Sequence, residues 1–250
     1  MSWRELDAEL DRWRDGGQVA DFWWRDDDAA KPSAPLARLL ELSQSSRVPL
    51  ALAVVPLEAV PDIFNGLKAS VLMHGTDHRN RAAPGEKKTE FAGDEPDGDA
   101  VARLSAARQR LAAQAAQRFL AVLAPPWNRF KQSLVTHLPE AGLYGLSGYG
   151  PRDKAEPARG VRQVNTHVDI IDWRGTRGFV GEEAALRIAA NHLASRREGD
   201  VDAKEPTGWL THHALHDKAT WKFLERLFER TSARGARWID PVELFPSRAR

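Results

Sequence analysis

Cysteine is absent from all 250 residues. That excludes disulfides, thiolate-ligated zinc and thiol nucleophiles, and leaves histidine and carboxylate to hold any metal. An excess of either charge is also missing: Lys plus Arg number 36 against 35 Asp plus Glu, a formal net charge of +1. No overall field therefore draws a phosphate backbone or an anionic bilayer, and neither nucleic acid nor membrane is expected as a partner. The opening MSWRELDAELDRWRDGG lacks the basic start and apolar run of a secretory signal. No stretch approaches the roughly 20 apolar residues of a membrane helix, so a cytoplasmic protein is the plain expectation. There is no internal repeat and no glycine-rich phosphate loop. Hydrophobic residues make up 42% and charged residues 28%, enough for a sizeable core beneath a solvated surface. At this length one domain over residues 1–250 is expected.

Helix and strand signals alternate. Ser2 and Glu5 form a capping box, and Trp3, Leu6, Leu10 and Trp13 follow at helical spacing. Gly16 and Gly17 stop that helix, and Val19 to Trp24 predicts a strand running into Arg25, Asp26, Asp27 and Asp28. Helices near 35–42, 58–68, 99–117, 182–197 and 218–230 are expected, with strands near 50–55, 71–73, 119–123, 143–146, 161–168, 208–211 and 237–239. Such alternation implies parallel strands with right-handed crossovers. Five strands end in Asp, His or Pro-Trp groups, and active sites of barrels gather at the carboxyl ends of strands, which favours a closed (β/α) barrel over an open sheet. Residues 75–98 are the one long irregular stretch, of the length of a lid, a binding loop or a disordered segment.

Two clusters carry chemistry. His74 and His78 are spaced H-x-x-x-H after a strand. Taken alone they are ordinary surface histidines, but Asp28 ends a neighbouring strand with the same geometry, so His, His and Asp would supply three ligands and leave a position open for water. Asp26, Asp27 and Asp28 would repel one another unless a cation or an arginine offsets them.

These residues carry a resemblance. Asp26-Asp27-Asp28-Ala29, His74 with His78, Ala124-Pro125-Pro126-Trp127, Asp169-Ile170-Ile171-Asp172-Trp173 and Leu210-Thr211-His212 occur in the order of the five motifs of the polysaccharide deacetylase family. These are also called NodB-homology proteins or family-four carbohydrate esterases. The resemblance spans Asp26 to about His213 and implies a distorted barrel of about seven or eight strands. It also implies removal of acetyl groups from N-acetylated sugars with a divalent metal, zinc being the first choice for this ligand set. By motif, Asp27 is the expected base and Asp28, His74 and His78 the metal ligands. A backbone N–H near Trp127 would hold the oxyanion, His212 would protonate the amine with Asp169 behind it, and Trp173 and Leu210 would wall the acetyl pocket. His213 is the alternative acid, one residue on.

Two departures follow. The third motif begins with Ala124 where the family places an arginine that orients the base, and Ala29 stands at the glycine of the first. Arg25 or Arg129 can reach the carboxylate. Arg129 is the choice, because a guanidinium arriving laterally from a loop suits an orienting role better than one stacked beneath on the same strand. The readings that compete with a sugar deacetylase are an amidohydrolase of a small non-sugar amide and a non-catalytic carbohydrate-binding relative.

Overall fold

The apolar stripe of the first helix does bury. In the computed structural model, which describes residues 3–245, α1 (Trp3–Asp15) packs Trp3, Leu6, Leu10 and Trp13 into the core. The capping residue expected at Ser2 lies outside the described residues. Next come β1 (Asp21–Ala29), α2 (Ala34–Ser46), β2 (Ala51–Val54), β3 (Ser70–His74), α3 (Asp97–Ala115) and β4 (Phe119–Ala124). The short strands β5 (Gly145–Leu146), β6 (Arg162–Gln163) and β7 (Val168–Asp169) follow. After them come α4 (Glu182–Glu198), β8 (Thr207–Thr211), α5 (Lys218–Ala233), β9 (Arg237–Trp238) and α6 (Pro241–Leu244). Caps fix the starts: the Ser33 hydroxyl accepts from Leu36 N, and Asp217 and Thr220 form a reciprocal box on α5.

Strand order is β6-β5-β4-β3-β2-β1-β8-β7, every pairing parallel, with β9 added beside the start of β1. Eight parallel strands curl into a half-barrel surrounded by helices, the distorted (β/α) barrel expected from the alternation. Alternation along β1 sorts its side chains. Phe22 and Trp24 join the helix layer, whereas Trp23 joins Ala51, Ala53, Leu72, Val122 and Ala124 in the interior, floored by Ile239, Leu244 and Phe245. Among the described residues no helix is long and apolar enough to cross a membrane.

Two expectations fail. The helix near 58–68 is only a short 3₁₀ turn at Pro61–Phe64. The turn ends where Asn65 becomes extended, with ψ 114°, and Gly66 takes a left-handed φ of 67°, which no helix continues. The strand over 161–168 is two strands, because the chain changes walls within it. Val164 N and Thr166 N donate to Leu146 O and Gly148 O on one side, and His167 N donates to Gly208 O on the other. β6 and β7 stand at the two ends of the strand order and do not pair with each other.

Candidate active site and metal centre

Three consecutive carboxylates end β1, and each goes to a different place. Asp28 has a φ of 69°, and the pairing of β1 with β2 slips between Asp26 and Ala29. This local bulge breaks the alternation that would send neighbours to opposite faces. Asp26, on the helix-layer side and fully buried, accepts from Thr211 Oγ1 at 2.6 Å and His213 N at 2.9 Å, and its Oδ1 lies 2.5 Å from His213 Nδ1. Burial alone would raise its carboxyl, but the His213 ring outweighs burial and lowers it. Asp27 follows Trp23 and Arg25 on the inward side. Asp28 sits at the rim, its Oδ1 3.1 Å from His74 Nε2 and 3.2 Å from His78 Nε2.

The rim trio fits a metal. Its three donor atoms lie within 4.8 Å of one another, a spread that one ion of short metal–ligand bonds can span. His74 Nδ1 lies 2.9 Å from Ala124 O. A proton held there would leave Nε2 free to give its lone pair to an ion, the orienting bond typical of histidine ligands. The Asp28 side chain is 40% exposed and His78 26%, so one side of the trio faces solvent. Burial pushes the Asp28 carboxyl up, and hydrogen bonds from His74 and His78 overcome it and hold the group well below the usual carboxylate range.

The arginine on Asp27 is Arg25, and the assignment to Arg129 is corrected. Arg25 is fully buried. Its Nη2 donates to Asp27 Oδ2 at 3.1 Å and to Asn128 Oδ1 at 2.8 Å, its Nε lies 2.9 Å from Asp27 Oδ1, and its Nη1 donates to Ser147 O and Oγ at 2.6 and 2.7 Å. A long side chain thus climbs the interior from two residues below, and the buried methyl of Ala124 takes little of that space. Arg129 is exposed and donates to Lys88 O at 2.9 Å. The cause is the turn before it. Trp127 and Asn128 both have left-handed φ, 56° and 54°, which turns Asn128 toward Arg25 and carries Arg129 outward.

The other wall holds the remaining candidates. The His212 ring meets Trp173 edge-on at 4.7 Å, and its Nδ1 is buried without a hydrogen-bond partner. Asp169 does not hold that ring. It accepts from Ile171 N at 3.0 Å and Trp173 Nε1 at 2.7 Å, because the chain turns back over it at Ile171 to Trp173. Burial raises the Asp169 carboxyl, with attraction to His212 opposing. The histidine that does sit on a carboxylate is His213, on Asp26. Burial works against its proton, and Asp26 overcomes burial to raise it. Leu210 is fully buried and in register with Arg25, Trp173 is 42% exposed, and the Trp127 ring lies 4.5 Å from that of His78.

Sequence reasoning missed Asn128 and Glu90. Glu90 is fully buried beneath the H-x-x-x-H turn. The available signal was Phe91, an aromatic in an otherwise polar run, which is buried and anchors the 75–98 segment against the barrel.

No family model and no curated protein matches the sequence. Solved structures do resemble the fold. A putative polysaccharide deacetylase from Mycobacterium smegmatis aligns at TM-score 0.65 and 13% identity over 91% of this chain and 88% of that one. A peptidoglycan N-acetylglucosamine deacetylase aligns at 0.58 and 14%, over 93% and 91%. A family 4 acetyl xylan esterase from Clostridium thermocellum, in complex with cobalt, aligns at 0.57 and 13%, over 90% of each. A mutant of a pseudoenzyme of the same esterase family shares the fold as well.

Proposed function

We propose that this chain, which has the barrel of the polysaccharide deacetylase and family-four carbohydrate esterase structures, is a metal-dependent hydrolase. Its substrate would be an N-acetylated sugar or glycan precursor, which loses its acetyl group as acetate. The observation that carries this reading is the convergence of Asp28, His74 and His78 at one rim, with Asp27 next to them and aimed by a buried arginine. When bound, a divalent metal, zinc first for this donor set, would supply a water of lowered pKa and polarise the acetyl carbonyl.

The residues of the chain divide the remaining work. Asp28, His74 and His78 hold the ion. Asp27 takes the proton of the attacking water, its orientation fixed by Arg25 and, through Asn128, by the turn after β4. A backbone N–H at the Trp127 turn is the donor to the oxyanion. His212 gives a proton to the departing amine nitrogen as the C–N bond breaks, and Trp173 and Leu210 form the pocket walls. The structural neighbours that act on acetylated carbohydrates support the substrate class. The pseudoenzyme neighbour keeps a non-catalytic binder in view, but a binder has no physical need for a base and an acid on opposite walls.

The test is metal analysis of the purified protein with an acetate-release screen over N-acetyl sugars and small amides. One zinc-class ion per chain and acetate from a sugar are expected, both lost in the His74→Ala, His78→Ala double variant with the fold retained. Full metal content in that variant overturns the site, and release from small amides alone overturns the substrate class.

A further inference from the structure

We infer that Glu90, in the long segment between β3 and α3, is a positioning residue for the metal centre, a clamp that holds the H-x-x-x-H turn from behind without touching the ion. The inference rests on the metal reading above. His78 needs such support: it lies in an irregular turn with a left-handed φ of 54°, a conformation that is unfavourable for a residue bearing a Cβ and persists where surroundings impose it.

Glu90 supplies that support. Its Oε1 accepts from Thr76 N at 2.7 Å and from the Thr76 hydroxyl, and its Oε2 accepts from His78 N at 3.2 Å. One buried carboxylate therefore binds the backbone at two points between and at the ligands. Arg103 of α3 holds the clamp in turn. Its Nη1 donates to Glu90 Oε1 and to Thr76 Oγ1, both at 3.0 Å, and its Nη2 forks onto Glu95 at 2.7 and 2.8 Å. Gly75 leaves the opening. A Cβ there would strike Glu90 Oε2 and would stand 2.6 Å from Pro126 Cγ, and its φ of 60° suits glycine as well. The 75–98 segment thus starts inside the metal motif and returns through Glu90 to brace it.

Glu90→Gln tests the clamp. The amide keeps the shape but must turn an NH₂ toward either His78 N–H or the Thr76 and Arg103 donors, so one side of the clamp is lost. Zinc affinity is read by competition with a chromophoric chelator, the ligand geometry by the visible spectrum of the cobalt-loaded protein, and the fold by melting of the metal-free protein. Zinc binding is expected to weaken roughly 10- to 100-fold, the usual scale for a partner that orients a ligand, with an altered cobalt spectrum. Lys87→Ala, exposed in the same segment, is expected to match the unsubstituted protein. If Glu90→Gln is recovered unfolded, Arg103→Gln reads the same quantity, with about tenfold weaker zinc expected. Affinity within about twofold of the unsubstituted protein and an unchanged cobalt spectrum overturn the clamp alone. An unsubstituted protein that binds no zinc or cobalt overturns the metal reading and the clamp together.

Discussion

At the carboxyl ends of the strands, burial works against protonation of His74 and His213, but neighbouring carboxylates overcome it and raise both. At the opposite end His167 and His192 stack ring on ring at 3.6 Å, and burial pushes both down, His192 to about 2. All four rings are buried, so burial does not distinguish them. The company does. Asp26, Asp27 and Asp28 crowd the upper end, whereas below, the guanidiniums of Arg152 and Arg196 flank the rings and Glu205 is shared among His167, Arg152 N and Asn165 N. His167 Nδ1 accepts from Gly208 N at 2.9 Å, so a neutral ring carries its proton on the nitrogen facing Glu205. His216 is the control within the upper end: without a carboxylate of its own, it is pushed down to about 4 by burial. In a barrel, the upper end reads as chemistry and the lower as stability.

The contrast can be broken most forcefully at Asp27. Asp27→Asn should retain metal while turnover falls about a hundredfold or more, the scale of losing a general base, and the melting temperature should fall as well, because buried Arg25 loses its counter-charge. Asp28→Asn should lose metal instead. Exchanged phenotypes, read by metal content and acetate release, would shift the assignment by one residue.

The lower end is sharpened by pH. His192 titrates at about 2 folded against 6.5 free, so below pH 6.5 only the unfolded chain takes up that proton. Stability therefore falls as pH drops from 6.5 toward 2, by at most about 1.4 kcal/mol per pH unit for this ring. His213 runs the other way: its raised value makes its contribution whole below 6.5 and lost as pH climbs through the folded value. Denaturant melts across the acid range should show a flatter slope in His192→Gln. An unchanged slope would remove the lower cluster from the account.

The smallest effects separate two arginines. Arg25→Lys keeps the charge but loses the fork onto Asp27, Asn128 and Ser147, and should lower turnover about tenfold. Arg129→Ala, which loses one bond to a loop carbonyl, should leave turnover within about twofold.

What could be read in the sequence follows from range. Period-two and helical patterns are local, so the alternation, the barrel and the strand ends bearing Asp27, Asp28, His74 and His78 were legible. The helix expected near 58–68 was not, because the apolar spacing does not show that Asn65 turns extended and Gly66 left-handed. Strand geometry alone argues against Arg25, and only the paired left-handed residues Trp127 and Asn128 decide against Arg129. Asp26 with His213 and Glu90 with Thr76 join residues whose adjacency no spacing encodes. The lower cluster has the same cause, since His167, His192 and Glu205 come from three separate elements.

The position of β1 also orders the assembly of the site in time. It pairs with β2, its near neighbour in sequence, and with β8, which is made almost last, and Trp23 packs on Phe245 beyond that. During synthesis Asp28, His74 and His78 are all available within the first third of the chain. Ser147, on which Arg25 is anchored, arrives later, and Thr211, His212 and His213 later still. Long-range pairings of this kind form slowly. The nascent protein thus carries Asp28, His74 and His78 before it carries His212, and one edge of β1 lacks its partner until β8 emerges.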